Sequence, residues 1–194
     1  RKVLIGDTSA KFVDHIFAEP EFYNSSELLF ALLLFSVQIY ADFSGYSLIA
    51  RGTAKLLGVE LVHNFKQPYF SSNLTEFWRR WHISLSSWLR DYVYISWLGG
   101  NRLGKWRTYF NIMLTMLLGG LWHGASWNFV LWGGLNGLGI VIYKLWSKIS
   151  PWKNKQKLIN RIWGIFLTFN FVSFTRIWFR SGSSTGWDDT GQEH

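Results

Sequence analysis

The chain has 194 residues, with 20 Lys and Arg against 12 Asp and Glu for a net charge of +8, and it holds no Cys, 3 Pro and 13 Trp. A sequence without Cys excludes disulfide scaffolds, thiol redox chemistry and Cys-based zinc sites. Only 16% of residues are charged and 48% are apolar, against about 25% charged in a soluble domain; with a mean hydropathy of only +0.05, apolar and basic residues must be segregated along the chain.

An acidic N-terminal piece holds Asp7, Asp14, Glu19, Glu21 and Glu27. The first apolar run, 28–49, is broken only by Gln38 and Asp42 and approaches the ~20 residues a helix needs to cross ~30 Å of hydrocarbon. Asp42 is expected to be a buried structural carboxylate, with catalysis as its secondary reading. Asn73 to Ile95 reads as one amphipathic helix with Asn73 as N-cap and Glu76 at the capping-box spacing. Its polar stripe is Glu76, Arg80, Ser84, Ser87 and Asp91, and its aromatic side includes Trp78, Trp81, His82 and Trp88. Such a helix lies in the membrane interface or lines a protein-walled cavity. LGGNRLGKWR, from Leu98 to Arg107, follows as a tight loop. Its cations suit either a phosphate contact or simple retention in the cytoplasm, and its spacing matches no P-loop.

The second apolar run, 109–122, is about 14 residues and covers only ~21 Å as a helix, too little to cross alone. Runs 127–146 and 162–179 are close to full length. Their polar exceptions are Asn128, Asn136, Lys144, Asn170 and Arg176. Nine Lys and Arg lie between Arg51 and Arg107, and five more (Lys148, Lys153, Lys155, Lys157, Arg161) lie between the last two runs. Both basic regions are expected on the cytoplasmic side, which accounts for the net charge by topology in place of nucleic-acid binding. The chain begins without Met and without a signal-peptide pattern, so a piece of a longer protein is expected. Residues 184–194 are polar, rich in Gly and Ser, and expected to be disordered. The fold class that follows is all-α, a polytopic transmembrane bundle with amphipathic or re-entrant helices.

His123 is the strongest single feature, set in GGLWHGASW between two apolar runs. If run 109–122 fails to cross, this junction is submerged. Non-helical backbone at that depth requires protein or a water-filled cavity around it, and an imidazole there can take and return a proton near neutral pH. The alternative is an interfacial histidine anchored between two Trp. His82 is the second candidate, its alternative a helix-packing histidine. No third residue stands at a metal- or haem-ligand spacing, so no metal is expected.

The phrases DFSGYSLIARGTAKLLGVEL from Asp42, NFKQPYFSSNLTEFWRRWHISLSSWLRDYVYI from Asn64, GGNRLGKWRTYFNIMLTMLLGGLWHGASWNFVLWGGLNG from Gly99, and WFRSGS near the end resemble the membrane-bound O-acyltransferase superfamily, in particular its bacterial alginate O-acetyltransferase type. The likeness runs from Asp42 to about Ser183 and implies a partial membrane domain over 1–183, since members are much longer. It further implies a tunnel through a helical bundle of the bacterial inner membrane and transfer of an acyl group, usually acetyl, toward hydroxyls of an extracellular or cell-wall polysaccharide. His123 corresponds to the family's Leu-Trp-His-Gly histidine and His82 to its Trp-His-x-Ser-Leu-Ser histidine. Candidate substrate contacts are Trp122, Asn128, Arg80, Arg90 and Arg102. No cofactor is implied; acetyl-CoA or another activated acyl group would be a substrate. The expected partners are membrane lipid, that donor, and a polysaccharide acceptor or an extracytoplasmic acetyltransferase that receives the acyl group. Two other function classes fit the same residues: a transporter using Asp42, His82 and His123 as a proton path, and a non-catalytic scaffold of a secretion complex.

Overall fold

The computed structural model describes residues 2–150 and 158–185, and all but the first two residues of the expected disordered tail lie outside that range. Among the described residues there are seven α-helices and no strand, so the chain is an all-α protein. They divide into two compact units, Arg1–Lys66 and Gln67–His194.

In the first unit, α1 (Asp7–Ala18) leads through a 3₁₀ turn at Pro20–Phe22 into α2 (Ser25–Leu56). A full capping box starts α2: Asn24 Oδ1 accepts the N–H groups of Ser26 and Glu27 at 2.9 and 3.0 Å, and Glu27 Oε2 accepts that of Asn24 at 2.9 Å. This cap satisfies orphan donors of the first turn. It places the helix start three residues ahead of the apolar run, because the cap and not the first apolar side chain decides where the backbone turns. After α2 the chain folds back, Arg51 donating to Leu61 O at 3.1 Å and lying 2.9 Å from His63 Nδ1, while Phe65 packs edge-on against Tyr40 and Phe43.

In the second unit, a 3₁₀ turn at Pro68–Phe70 precedes α3 (Leu74–Arg80) and α4 (Ile83–Trp88), which passes directly into a π-helical stretch, Leu89–Trp97. A loop leads to the antiparallel pair α5 (Lys105–His123) and α6 (Trp127–Ile149), and α7 (Leu158–Thr185) packs on α6. The single helix expected over 73–95 is thus broken. Trp81 is extended (φ −105°, ψ 130°) and His82 left-handed (φ 45°, ψ 56°). The cause is tertiary. Trp81 is buried and stacks on Phe77 and Tyr69 at 5.6 and 6.1 Å, and the guanidinium of Arg176, from α7, lies 4.7 Å above its ring. Arg176 also donates to Tyr69 Oη at 2.6 Å. Arg176→Met keeps bulk but loses the cation and the donor, and it is expected to cost about 2 kcal/mol, read as a lower Tm of the detergent-solubilised protein.

The cap of α3 also departs from its expected form. Asn73 Oδ1 accepts the Glu76 N–H at 2.8 Å, but the Glu76 carboxylate returns to Ser72, at 2.8 Å to its N–H and 2.9 Å to its hydroxyl, instead of to Asn73. Burial works against the Glu76 charge, yet the Ser72 bonds and the Arg80 charge outweigh it and hold the carboxyl below its ordinary pKa.

Glycines let α5 and α6 touch backbone to backbone. A Cβ on Gly120 would collide with the carbonyl oxygen of Phe129, and one on Gly133 with that of Met116. Buried Asn136 ties α6 to α7, donating to Thr175 Oγ1 at 3.3 Å and to Trp132 O at 2.9 Å. Among the described residues, three helices are long and apolar enough to cross a membrane: Ser25–Leu56, Trp127–Ile149 and Leu158–Ser181. Their exposed Leu, Ile, Phe and Trp side chains suit a hydrocarbon solvent.

Candidate active site

His123 is the last residue of α5, where the chain leaves the helix at Gly124 and re-enters α6 through the Ser126 cap. Because α5 and α6 close so tightly at Gly120 and Gly133, this turn brings aromatic side chains of three elements around the imidazole. Trp122, Trp132 and Phe179 stand edge-on to it with ring centroids at 5.0, 5.2 and 5.1 Å, and Phe129 lies at 6.2 Å. Among the described residues neither ring nitrogen has a hydrogen-bond partner, so both can serve a molecule beside the ring.

The space beside it is a cavity of about 750 Å³ bounded by α3, α4, the π-helical stretch, the following loop, α5 and α6. His123 and Trp132 line it near the α5–α6 turn. Lys144 lines it from α6 twelve residues beyond Trp132, a rise of ~18 Å. The walls between are largely apolar, with Ile112, Met116, Leu85 and Ile140. Arg79, Arg90 and Arg102 also line it, as do Tyr94 and Asn101. The Arg90 guanidinium grips Asp91 through Nε and Nη2 at 2.7 and 2.9 Å. That contact lowers the Asp91 carboxyl pKa and raises that of Arg90.

His82 occupies the left-handed break between α3 and α4, a conformation unfavourable for most side chains and open to His more than to most. Its Nδ1 lies 3.4 Å from Ser84 Oγ. Burial pushes its pKa below the ordinary histidine value, with a backbone hydrogen bond acting in the opposite direction. The indole of Trp122 is the link between the two histidines, 6.2 Å from the His82 ring and 5.0 Å from that of His123.

Of the residues singled out from sequence, His123, Arg90 and Arg102 share one cavity, and Trp122 joins His82 to His123. His82, Trp122, Arg80 and Asn128 are not among the cavity's lining. Arg80 is paired with Glu76 at 2.6 Å, one turn back on α3. The Asn128 N–H is used at the start of α6, donating to Ser126 Oγ at 3.3 Å. The cavity also uses Trp78, Tyr94, Asn101, Trp132 and Lys144, which sequence reasoning did not select. Lys144 carried a usable signal, as the one cation inside an otherwise apolar run.

Comparison with known proteins is consistent with this geometry. The family model for membrane-bound O-acyltransferases matches residues 1–184. The chain is 53% identical over 142 residues to the probable alginate O-acetylase AlgI of Pseudomonas putida, covering 73% of this chain and 29% of that protein. It is 37% identical over 181 residues to the peptidoglycan O-acetyltransferase of Helicobacter pylori, covering 93% of this chain and 34% of the relative. It is 34% identical over 151 residues to the teichoic acid D-alanyltransferase of Bacillus subtilis, covering 72% and 38%. The chain thus spans about a third of the length of the curated relatives it matches. An all-α chain with three membrane-length helices, a histidine at the hairpin turn and a family match along nearly its whole length belongs to the membrane-bound O-acyltransferase family.

Proposed function

We propose that the intact protein is a membrane O-acyltransferase of the bacterial cytoplasmic membrane that passes an acetyl group toward the hydroxyls of an extracellular or cell-wall polysaccharide. The carrying observation is one cavity with an imidazole near the hairpin turn and Arg90, Arg102 and Lys144 among its other lining residues. The relatives are named for alginate O-acetylation, peptidoglycan O-acetylation and teichoic acid D-alanylation, and these names agree in an acyl group carried toward a polymer.

In this reading the cations draw in an anionic activated donor such as acetyl-CoA by charge attraction, and its acyl arm lies along the apolar wall toward His123. His123 takes the proton of the acceptor hydroxyl as the oxygen attacks the thioester carbonyl. The carbon–sulfur bond breaks as the carbon–oxygen bond forms, and the proton passes to the leaving thiolate. His82 orients or polarises one reactant, with Trp122 packed between the two rings. The aromatic ring of side chains excludes water, which limits hydrolysis of the donor. The acceptor at this site is the polysaccharide itself or an extracytoplasmic acetyltransferase that makes the final transfer.

The test is transfer of labelled acetyl from acetyl-CoA by the intact, detergent-purified protein to a soluble oligosaccharide or to a co-purified partner protein. Transfer without two compartments supports the enzyme; its absence in protein that restores acetylation in cells favours a transporter. Arg90→Gln is expected to raise KM for acetyl-CoA about three- to tenfold with kcat unchanged, and added salt to do the same to the wild type.

A further inference from the structure

We propose that Asn111 is a positioning residue for the acyl donor, its carboxamide locking the loop after the π-helical stretch so that Asn101 and Arg102 face the cavity. This rests on the reading that the donor's anionic part binds at Arg90, Arg102 and Lys144.

A helix end leaves carbonyl groups without partners. Here the N–H groups of Leu98, Gly99 and Gly100 turn back to Val93, Ile95 and Tyr94 at 3.0, 3.1 and 2.7 Å, and Gly99 and Gly100 adopt φ of 79° and 61°. The turn carries the Leu98 and Gly100 carbonyls inward, toward α5. One side chain meets both: Asn111 Nδ2 donates to Leu98 O at 2.7 Å and to Gly100 O at 2.9 Å. Asn111 is 0% exposed. Two carbonyls can only accept, so the amide must present its NH₂ group to them, and its orientation is fixed. A carboxylate or an alkyl group of the same size could not replace it.

The residues on either side of this lock belong to the cavity. Ile112 and Thr115 line it from α5, one position and one turn beyond Asn111, and Asn101 and Arg102 line it immediately after Gly100. Tyr94, also lining it, donates its hydroxyl to Asn101 Oδ1. Without the amide, a segment containing Gly99, Gly100 and Gly104 regains much of its backbone freedom, and each donor molecule must order it again on binding. The cost therefore falls on donor affinity and not on the chemical step.

The experiment uses the intact protein in its native membrane with labelled acetyl-CoA as probe. Asn111→Ala is expected to raise the acetyl-CoA KM about tenfold, with kcat within about twofold. Arg102→Ala should raise KM in the wild type but add nothing in the Asn111→Ala background, since the lock acts through that residue. Limited trypsin cleavage after Arg102 should accelerate in Asn111→Ala. Asn136→Ala removes an equally buried amide with bonds to Trp132 and Thr175; it tests for general loosening and should leave KM unchanged. Should Asn111→Ala not accumulate, Gly100→Ala strains the same loop at positive φ, its Cβ meeting nothing closer than 3.8 Å, and should give the same KM rise. An unchanged KM in Asn111→Ala or Gly100→Ala, additive effects with Arg102→Ala, or an equal rise in Asn136→Ala would overturn the lock. An unchanged KM for Arg102→Ala alone would instead overturn the donor reading beneath it.

Discussion

Replacing His123 by alanine is expected to abolish the proposed acyl transfer, lowering polymer-bound acetate by about two to four orders of magnitude while leaving the amount of protein in the membrane unchanged. The imidazole makes only ring contacts, so its removal deletes no hydrogen bond on which the fold depends among the described residues. Phe129 and Trp132 still pack on Phe179, with ring centroids at 5.4 and 5.3 Å. His123→Gln, which keeps polarity and most of the volume but cannot cycle a proton near neutral pH, should be equally inactive. The measurement is acetate on the polymer in cells lacking the native gene and carrying a full-length copy, with membrane expression checked by blot. Normal acetylation at equal expression would move the assignment to a transporter or a scaffold.

Gly133→Leu has the second large effect, on the fold instead of the chemistry. Its Cβ would meet the Met116 carbonyl oxygen and the Gly120 Cα. These are backbone atoms that cannot rotate aside, so α5 and α6 must separate. Overpacking of this kind costs about 3 kcal/mol or more, and it also shifts the turn that carries His123. Much reduced accumulation and a lower Tm in detergent are expected. Gly134→Ala is the control, because a Cβ there meets only Leu117 Cδ2 at 3.5 Å, an ordinary contact; an equal loss there would disprove the close-approach explanation.

His123 was legible because an ionisable side chain between Gly and Trp, at the junction of two apolar runs, has few structural uses. The break at Trp81–His82 was not, since the amphipathic pattern continues across it without a Pro or Gly. It is decided by Tyr69, before α3, and by Arg176, far along the chain on α7, and no local window contains those partners. Arg80 and Arg90 both invite a substrate role through their charge and both are ion-paired, to Glu76 and Asp91, but only Arg90 is among the cavity's lining. Lys144 stands in the sequence only as a polar exception of an apolar run; in the structure it lines the same cavity as His123. The loop offered three glycines and several cations, but the residue that organises it, Asn111, lies in α5 among apolar neighbours with nothing in its sequence context to mark it.

In the proposed mechanism, the left-handed backbone of His82 sets stability against chemistry at a single position. Glycine would adopt φ 45°, ψ 56° without the steric cost a β-carbon brings there. A search for sturdier variants would therefore tend to converge on glycine at this position, and would discard one of the two imidazoles in doing so. A thermostability screen of this protein should accordingly score turnover and melting together, since under the proposed mechanism a gain in melting from glycine at position 82 is expected to lower turnover.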